Sequence, residues 1–164
     1  MPTETKPETN LAIVMTADEL LQHWQGHRRL TRRTIEAFPE DKLFQFSVGD
    51  MRPFADLAFE FISMAMPIVN GVSTGKWEKF AGEKPTTKAG LLKLWDEQTA
   101  AIDKAFPKIP PHRFAEVDNA FGMYKNTGIG TIQYGIDNEI HHRGQGYVYL
   151  RALGIEPPHF WERE

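Results

Sequence analysis

The 164-residue chain contains no cysteine. This absence excludes a disulfide framework, a catalytic thiolate and a zinc site built on cysteine ligands. Positive charge is not in excess either, because 19 Lys and Arg stand against 22 Asp and Glu, for a formal net charge of −3. Such a chain has no overall electrostatic attraction to nucleic acid, so we expect no nucleic-acid partner.

Long apolar runs are missing as well. No uninterrupted apolar stretch approaches the ~20 residues of a membrane-spanning helix, so we expect no membrane partner. The first residues, MPTETKPETN, are polar and lack the apolar centre of a secretion signal, which leaves the cytoplasm as the expected location. The sequence also lacks Walker loops, dinucleotide-binding fingerprints and the motifs of serine or threonine nucleophiles.

What is present is the composition of a globular protein, with 41% apolar and 25% charged residues. A chain of this length fits a single domain with a substantial core. We predict that residues 1–12, which are polar and contain prolines, form a disordered tail. Residues 13–164 then form one domain.

The first helix has a clear start and end. Thr16 and Glu19 form a capping box, in which each side chain accepts a hydrogen bond from the other residue's backbone amide. The helix should run to about Phe38 and end at Pro39. At about 100° per residue, its inward stripe comprises Leu20, Trp24, His27, Thr31, Ile35 and Phe38.

The second predicted helix opens at Pro53 and runs to about Val69. It is apolar nearly all round, so it should lie at the centre of the domain. Pro67 should kink this helix or end it early, because proline lacks the amide that the helix needs. Residues 70–85, with several glycines, should form a loop.

Two further helices complete the prediction. The third is capped by Thr86 or Thr87 and faces inward through Leu91, Trp95, Gln98, Ile102 and Phe106. The last runs from about Gly130 to Leu153, with Gly154 as its C-terminal cap. Residues 107–126 between them form a long crossover whose aromatic residues should pack down as a lid or a ledge, namely Phe114, Phe121 and Tyr124. The expected fold is an all-α four-helix bundle with a long crossover connection.

The last helix carries an unusual density of polar residues between Asp137 and Gln145. Residues four apart share a helix face, and two of them can hold one cation. The candidate pairs are Asp137 with His141, Asn138 with His142, and Glu139 with Arg143. A solvated helix surface would show similar pairs. The apolar residues spread around this helix favour burial, and buried polar groups must be paired with each other, with water or with an ion.

Glu60 lies in the middle of the apolar second helix. A carboxylate in such a position is costly unless it binds a cation or pairs with Arg or His. The alternative is that its side chain leaves the core through a gap in the apolar surface.

His23 and His27 on the first helix are also four residues apart. His27 lies on the inward stripe, so it is either a hydrogen-bonded core residue or a ligand, whereas His23 lies off the stripe and should be solvated. The basic residues that follow, Arg28 to Arg33, could attract an anionic substrate or form a solvated face.

Three segments resemble a known family. They are HHRGQ at 141–145, YLRALG at 149–154 and MRPFADLAFEF at 51–61. The first two together closely resemble the signature of the DinB-like superfamily. This family comprises bacterial four-helix bundles associated with DNA damage or stress, and it is unrelated to the DNA polymerase of similar name.

The resemblance implies a divalent metal held by three histidines, one on the second helix and two on the last. The matching positions here are Glu60, Asn138 and His142, so two of the three histidines are replaced. The implied metal is zinc or nickel, with manganese as a further candidate because oxygen ligands favour harder metals.

The resemblance also implies a function. Some relatives are thiol-dependent transferases or isomerases, others have no known activity, and many form homodimers. We therefore expect a metal-dependent transferase or hydrolase acting on a small molecule, for which a low-molecular-weight thiol is one candidate. The alternative is a non-catalytic, stress-associated binding protein with a degenerate metal site. Glu139 and Arg143 would be structural or would orient the site, and Asp137 with His141 is the alternative pair if the helix phase differs by one residue.

Overall fold

The structure is a computed structural model that describes residues 13–164, so the predicted tail at 1–12 lies outside the described residues. Helices make up 65% of the described residues. In chain order the elements are α1 (Ala17–Ala37), α2 (Glu40–Gln45), α3 (Phe54–Thr74), α4 (Lys88–Ala105), a 3-10 turn (Phe106–Lys108), α5 (Pro111–Ala115), β1 (Val117–Ala120), β2 (Tyr124–Thr127) and α6 (Gly128–Ala152).

The four long helices, α1, α3, α4 and α6, form the bundle. Both α1 and α3 pack against α4 and α6, and the contact between α3 and α6 is the most extensive. The core has two apolar clusters, one around Phe54, Trp95 and Tyr149 and the other around Trp24 and Val69. The predicted fold class is confirmed.

The start of α1 follows the predicted capping box. The Glu19 amide donates to Thr16 Oγ1 at 3.1 Å, and the Thr16 amide donates to Glu19 Oε2 at 2.7 Å. Every residue of the predicted inward stripe is buried. The periodicity therefore placed this helix face correctly.

Pro67 does not end α3, which continues to Thr74. The prediction of an early end is therefore wrong. Pro67 is buried together with Ile68 and Val69. Burial on the inside of the bundle compensates for the helical hydrogen bond that proline cannot donate.

By length and mean hydropathy alone, α3 would qualify as a membrane span, because an 18-residue window in it has a mean hydropathy of 1.3. The expectation that no segment approaches a span therefore needs refinement. Residues of that window are 56% buried inside the bundle. This burial is typical of the core helix of a globular domain.

The crossover between α4 and α6 contains secondary structure that the sequence did not predict. It contains α5 and an antiparallel hairpin, in which β1 and β2 pair from Val117↔Thr127 to Ala120↔Tyr124. The strands VDNA and YKNT are short and mostly polar, so they lack the alternation that identifies strands in a sequence. Phe114 and Phe121 are half-buried, whereas Tyr124 is 62% exposed.

Candidate functional site

Two glycines on α6 allow it to approach α3 closely. A Cβ atom at Gly146 would lie 2.5 Å from the Phe54 ring, and one at Gly135 would lie 2.9 Å from Ile68. Between these glycines, at helical spacing, α6 carries Asn138 and His142. The close approach brings both side chains within hydrogen-bonding distance of α3.

Glu60 on α3 meets both of these side chains. Its Oε1 atom lies 3.0 Å from His142 Nε2 and accepts a hydrogen bond from Asn138 Nδ2 at 3.1 Å. Asp137 and His141 are both exposed, so the alternative pair lies on the solvent side of α6. The structure thus brings together the three residues that the resemblance singled out.

Both ring nitrogens of His142 face oxygen atoms. His142 Nδ1 lies 2.7 Å from Gln145 Oε1, and the Gln145 amide nitrogen points to Met51 Sδ at 3.5 Å. With Nδ1 donating to Gln145, a neutral ring presents the Nε2 lone pair to the Glu60 carboxylate, whereas a doubly protonated ring donates from Nε2 to Glu60. That contact is favourable only if a second proton or a metal cation lies between the two atoms.

Arg52 supplies positive charge on the other side of Glu60. Its Nη2 atom donates to Glu60 Oε2 at 2.5 Å, and its backbone carbonyl accepts from the Tyr149 hydroxyl at 2.8 Å. Partial burial raises the pKa of Glu60. The hydrogen bonds from Arg52, Asn138 and His142 outweigh that effect and lower it to about 2. Glu60 is therefore a stable anion at neutral pH.

Arg52 and Gln145 were not predicted from the sequence to belong to the site. Gln145 could have been found, because it lies three residues after His142 on the same helix face. Arg52 precedes α3 in a segment without helical periodicity, so nothing in the pattern indicated its direction.

The site can be tested for its fit to a cation. Donor atoms at about 2.0–2.2 Å from one ion lie within ~4.4 Å of one another, and the Glu60 and His142 atoms satisfy this condition. Asn138 Oδ1 is buried and has no hydrogen-bond partner among the described residues. Within residues 13–164 no cluster of three His, Cys, Asp or Glu could hold a metal. The carboxylate and the imidazole therefore fit a cation with open positions, whereas Asn138 turns its amide nitrogen to Glu60 and would add its oxygen only with the amide reversed.

Glu139 and Arg143 face the opposite direction, into α1. Glu139 accepts from Thr31 Oγ1 at 2.6 Å and from Trp24 Nε1 at 3.2 Å, and Arg143 Nη1 lies 4.0 Å from its carboxylate. Arg143 also donates to the backbone oxygen of His27 at 3.1 Å. Among the described residues this α1–α6 network has no hydrogen bond to Glu60 or His142, and it links the two helices to each other.

His27 belongs to the same network. Arg143 Nη2 lies 3.0 Å from His27 Nδ1, which accepts the hydrogen bond from the guanidinium. Burial and then the Arg143 charge lower the pKa of His27 to about 3. His27 is therefore a neutral core residue, whereas His23 is exposed as predicted.

The lowered pKa of His27 predicts a loss of stability in acid. The unfolded chain binds a proton at His27 below pH ~6.5, while the folded chain does not until about pH 3. The contribution of neutral His27 to the free energy of unfolding is complete above pH ~6.5 and falls by up to ~1.4 kcal/mol per pH unit below it. In urea unfolding, His27→Gln should reduce the slope of the unfolding free energy against pH between pH 6 and pH 4. The reduction should be up to ~1.4 kcal/mol per pH unit, which corresponds to one proton. Equal slopes in the two proteins would contradict the assignment.

A cleft of about 810 Å³ extends from Glu60 along α3 and α6 to the hairpin. Its walls include Met64 and Ile68 on α3, Tyr134 on α6 and Phe121 in the hairpin turn. Glu60 lies at this cleft, so a small molecule in it would reach the polar cluster.

The fold and the site together define a helical-bundle protein with a polar cluster between two core helices and a cleft beside it. The DinB family profile matches residues 1–163, and the chain belongs to that family. The uncharacterised protein YjoA of Bacillus subtilis (strain 168) is 24% identical over 151 residues, which cover 90% of this chain and 97% of YjoA.

Two crystal structures share the fold. The DinB-like protein YjoA from Bacillus subtilis superposes with a TM-score of 0.72 at 22% identity, covering 88% of this chain and 99% of YjoA. A DinB-like protein from Bacillus cereus ATCC 10987 gives a TM-score of 0.71 at 19% identity, covering 88% of this chain and 97% of that one.

Proposed function

We propose that this DinB-family protein binds a divalent cation through Glu60, His142 and Asn138 and acts on a small molecule in the adjacent cleft. The observation that carries the proposal is the 3.0 Å approach of Glu60 Oε1 to His142 Nε2, whose other nitrogen already faces an oxygen. A cation between the two atoms would satisfy both of them. With the Asn138 amide reversed, the cation would also give the unpaired Asn138 oxygen a partner.

Each residue has a separate task in this proposal. Glu60 supplies the negative charge, and Gln145 holds His142 in the tautomer that leaves Nε2 free to bind a metal. Asn138 adds a neutral oxygen. One nitrogen and two oxygen ligands suit zinc, nickel or manganese.

A cation with open positions supplies Lewis-acid chemistry when it is bound. The reaction we propose is group transfer, including thiol transfer, or hydrolysis, and the cleft would position the substrate beside Glu60. A cytoplasmic homodimer with a role in stress remains part of the proposal.

One observation favours a second function. Arg52 already neutralises Glu60 through a 2.5 Å contact, so the carboxylate is paired without any metal. A stress-associated protein that binds a ligand without turnover, and whose metal site has degenerated, would keep such a pair.

Metal analysis of protein purified without a histidine tag separates the two functions. The proposal expects about one equivalent of Zn, Ni or Mn per chain, retained after dialysis or restored by adding the metal. A content well below one equivalent that none of these metals restores would rule out the metal-dependent function. The protein would then be the non-catalytic binder.

A further inference from the structure

The cleft carries a charge pattern that the metal site does not explain. Lys79 in the α3–α4 loop and Lys125 on β2 both line it. Within residues 13–164 the lysine ion pairs involve Lys42, Lys84 and Lys93, and neither cleft lysine has an acidic partner. Glu60 is the one acidic residue of the cleft lining, and it is already paired with Arg52.

Apart from these lysines and Glu60, the cleft lining is largely apolar and includes the aromatic residues Phe80, Phe121 and Tyr134. Phe80 packs on Phe59 with ring centroids 5.9 Å apart, and Phe121 packs on Trp77 at 5.4 Å. Trp77 itself covers Gly71, where a Cβ atom would lie 2.1 Å from its ring. The loop and the hairpin are thus anchored to α3 through their aromatic residues.

Phe121, which forms part of this lining, has a strained backbone. Its backbone has φ +55°, a left-handed conformation that is unfavourable for a bulky residue. Such strain persists only where the surrounding structure enforces it. Here the strained turn directs the Phe121 ring against Trp77 and into the cleft.

We propose that the cleft binds an organic acid with an apolar, ring-sized body. Its anionic group would lie at the two lysines, its body along the aromatic lining, and its other end at Glu60. The charge pattern selects an anion, because two unpaired ammonium groups attract a negative group while the apolar lining favours a body that leaves water. The inference rests on the proposed function for the chemistry at the Glu60 end, but the binding itself requires no metal.

Two probes with the same body test the charge requirement on metal-free, full-length protein. 1-Anilinonaphthalene-8-sulfonate carries an anionic group, and N-phenyl-1-naphthylamine is the same body without it. We expect one sulfonate probe to bind per chain. In Lys79→Gln/Lys125→Gln its affinity should fall about five- to tenfold, as expected for two partly exposed ion pairs, while the affinity of the neutral probe stays the same.

Two further variants complete the design. Lys104→Gln/Lys108→Gln removes the same charge from exposed positions outside the cleft and should leave both affinities unchanged. Tyr134→Ala, whose ring is 59% exposed, should weaken both probes about two- to tenfold through lost aromatic contact.

The inference is overturned if the sulfonate binds at several sites or not at all, or if the cleft and control lysine pairs have equal effects. Metal content measured on the same samples keeps the two proposals apart. A protein that binds the sulfonate at the lysines but retains no metal would refute only the metal-dependent function. A protein that retains metal but binds the sulfonate equally well with and without the two cleft lysines would refute only the organic-acid site.

Discussion

His142→Ala is expected to abolish the rise in melting temperature that added metal produces in the unmodified protein. A ligand that binds only the folded state stabilises it by about 2.7 kcal/mol at a hundredfold excess over its Kd. For a domain of this size that corresponds to a rise of about 5–10 °C. His142 is the one imidazole of the proposed site, and without it a carboxylate and an amide remain.

The matched control is His141→Ala, on the next residue of the same helix. His141 is exposed and points away from Glu60, so this variant should keep the full metal-induced rise. Differential scanning fluorimetry with Zn, Ni and Mn on tag-free protein measures both variants. If His142→Ala kept the rise, or if His141→Ala lost it, the assigned ligand set would be wrong.

The structure reverses the expected effect of Glu60→Ala on the stability of the metal-free protein. From the sequence, removal of a buried carboxylate could have raised the stability of the metal-free protein. Glu60 is instead one-third exposed and paired with Arg52, and its pKa is lowered to about 2. The fold therefore stabilises the charged form, so removing it should lower the stability of the metal-free protein.

Periodicity predicted the faces of single helices well. It placed His27 inside and His23 outside, whereas on α6 it left three polar pairs open, and the resemblance singled out Asn138 with His142. The placement on α1 follows from the 3.6-residue repeat, which any amphipathic helix must obey. The pairing of α3 with α6, which places Glu60 beside His142, is a tertiary relation, and here it came from the resemblance.

The features that the sequence did not predict depend on contacts between distant segments. Arg52 is oriented by Glu60, eight residues along the chain, and by Tyr149, which is remote in sequence. The hairpin that completes the cleft is fastened by Arg113, which donates to Asp118 and to the backbone of Val72. Such contacts outweigh local propensity, which is why Pro67 also remains inside a continuous helix.

The polar network between α1 and α6 leads to the second large prediction. Glu139 is 2% exposed, and Arg143 at 4.0 Å and the fully buried Arg28 supply the neighbouring positive charge. Burial raises the pKa of Glu139, and the two guanidinium groups oppose that effect. Glu139 is thus a buried carboxylate that faces two buried guanidinium groups, and Asp103 and Asp96 add negative charge near Arg28.

Glu139→Gln should therefore destabilise the protein by about 3–5 kcal/mol, the range observed when one partner of a buried ion pair is removed. The replacement keeps the side-chain shape, so the loss reports the charge rather than a cavity. In Glu139→Gln/Arg143→Met one of the stranded cations is gone, so the double variant should be destabilised by less than the sum of the single variants. Urea unfolding monitored by circular dichroism measures all three.

Asp137→Asn, on the exposed face of the same helix, is the matched control and should change the stability by no more than about 0.5 kcal/mol. A cost below about 1 kcal/mol for Glu139→Gln would show that Glu139 is protonated in the folded protein, because an amide then replaces a neutral carboxylic acid at little expense. The buried arginines would in that case lack the counterion assigned to them here. A cost of several kcal/mol with strong coupling to Arg143 would instead establish that α1 is held to α6 by charge as well as by apolar packing.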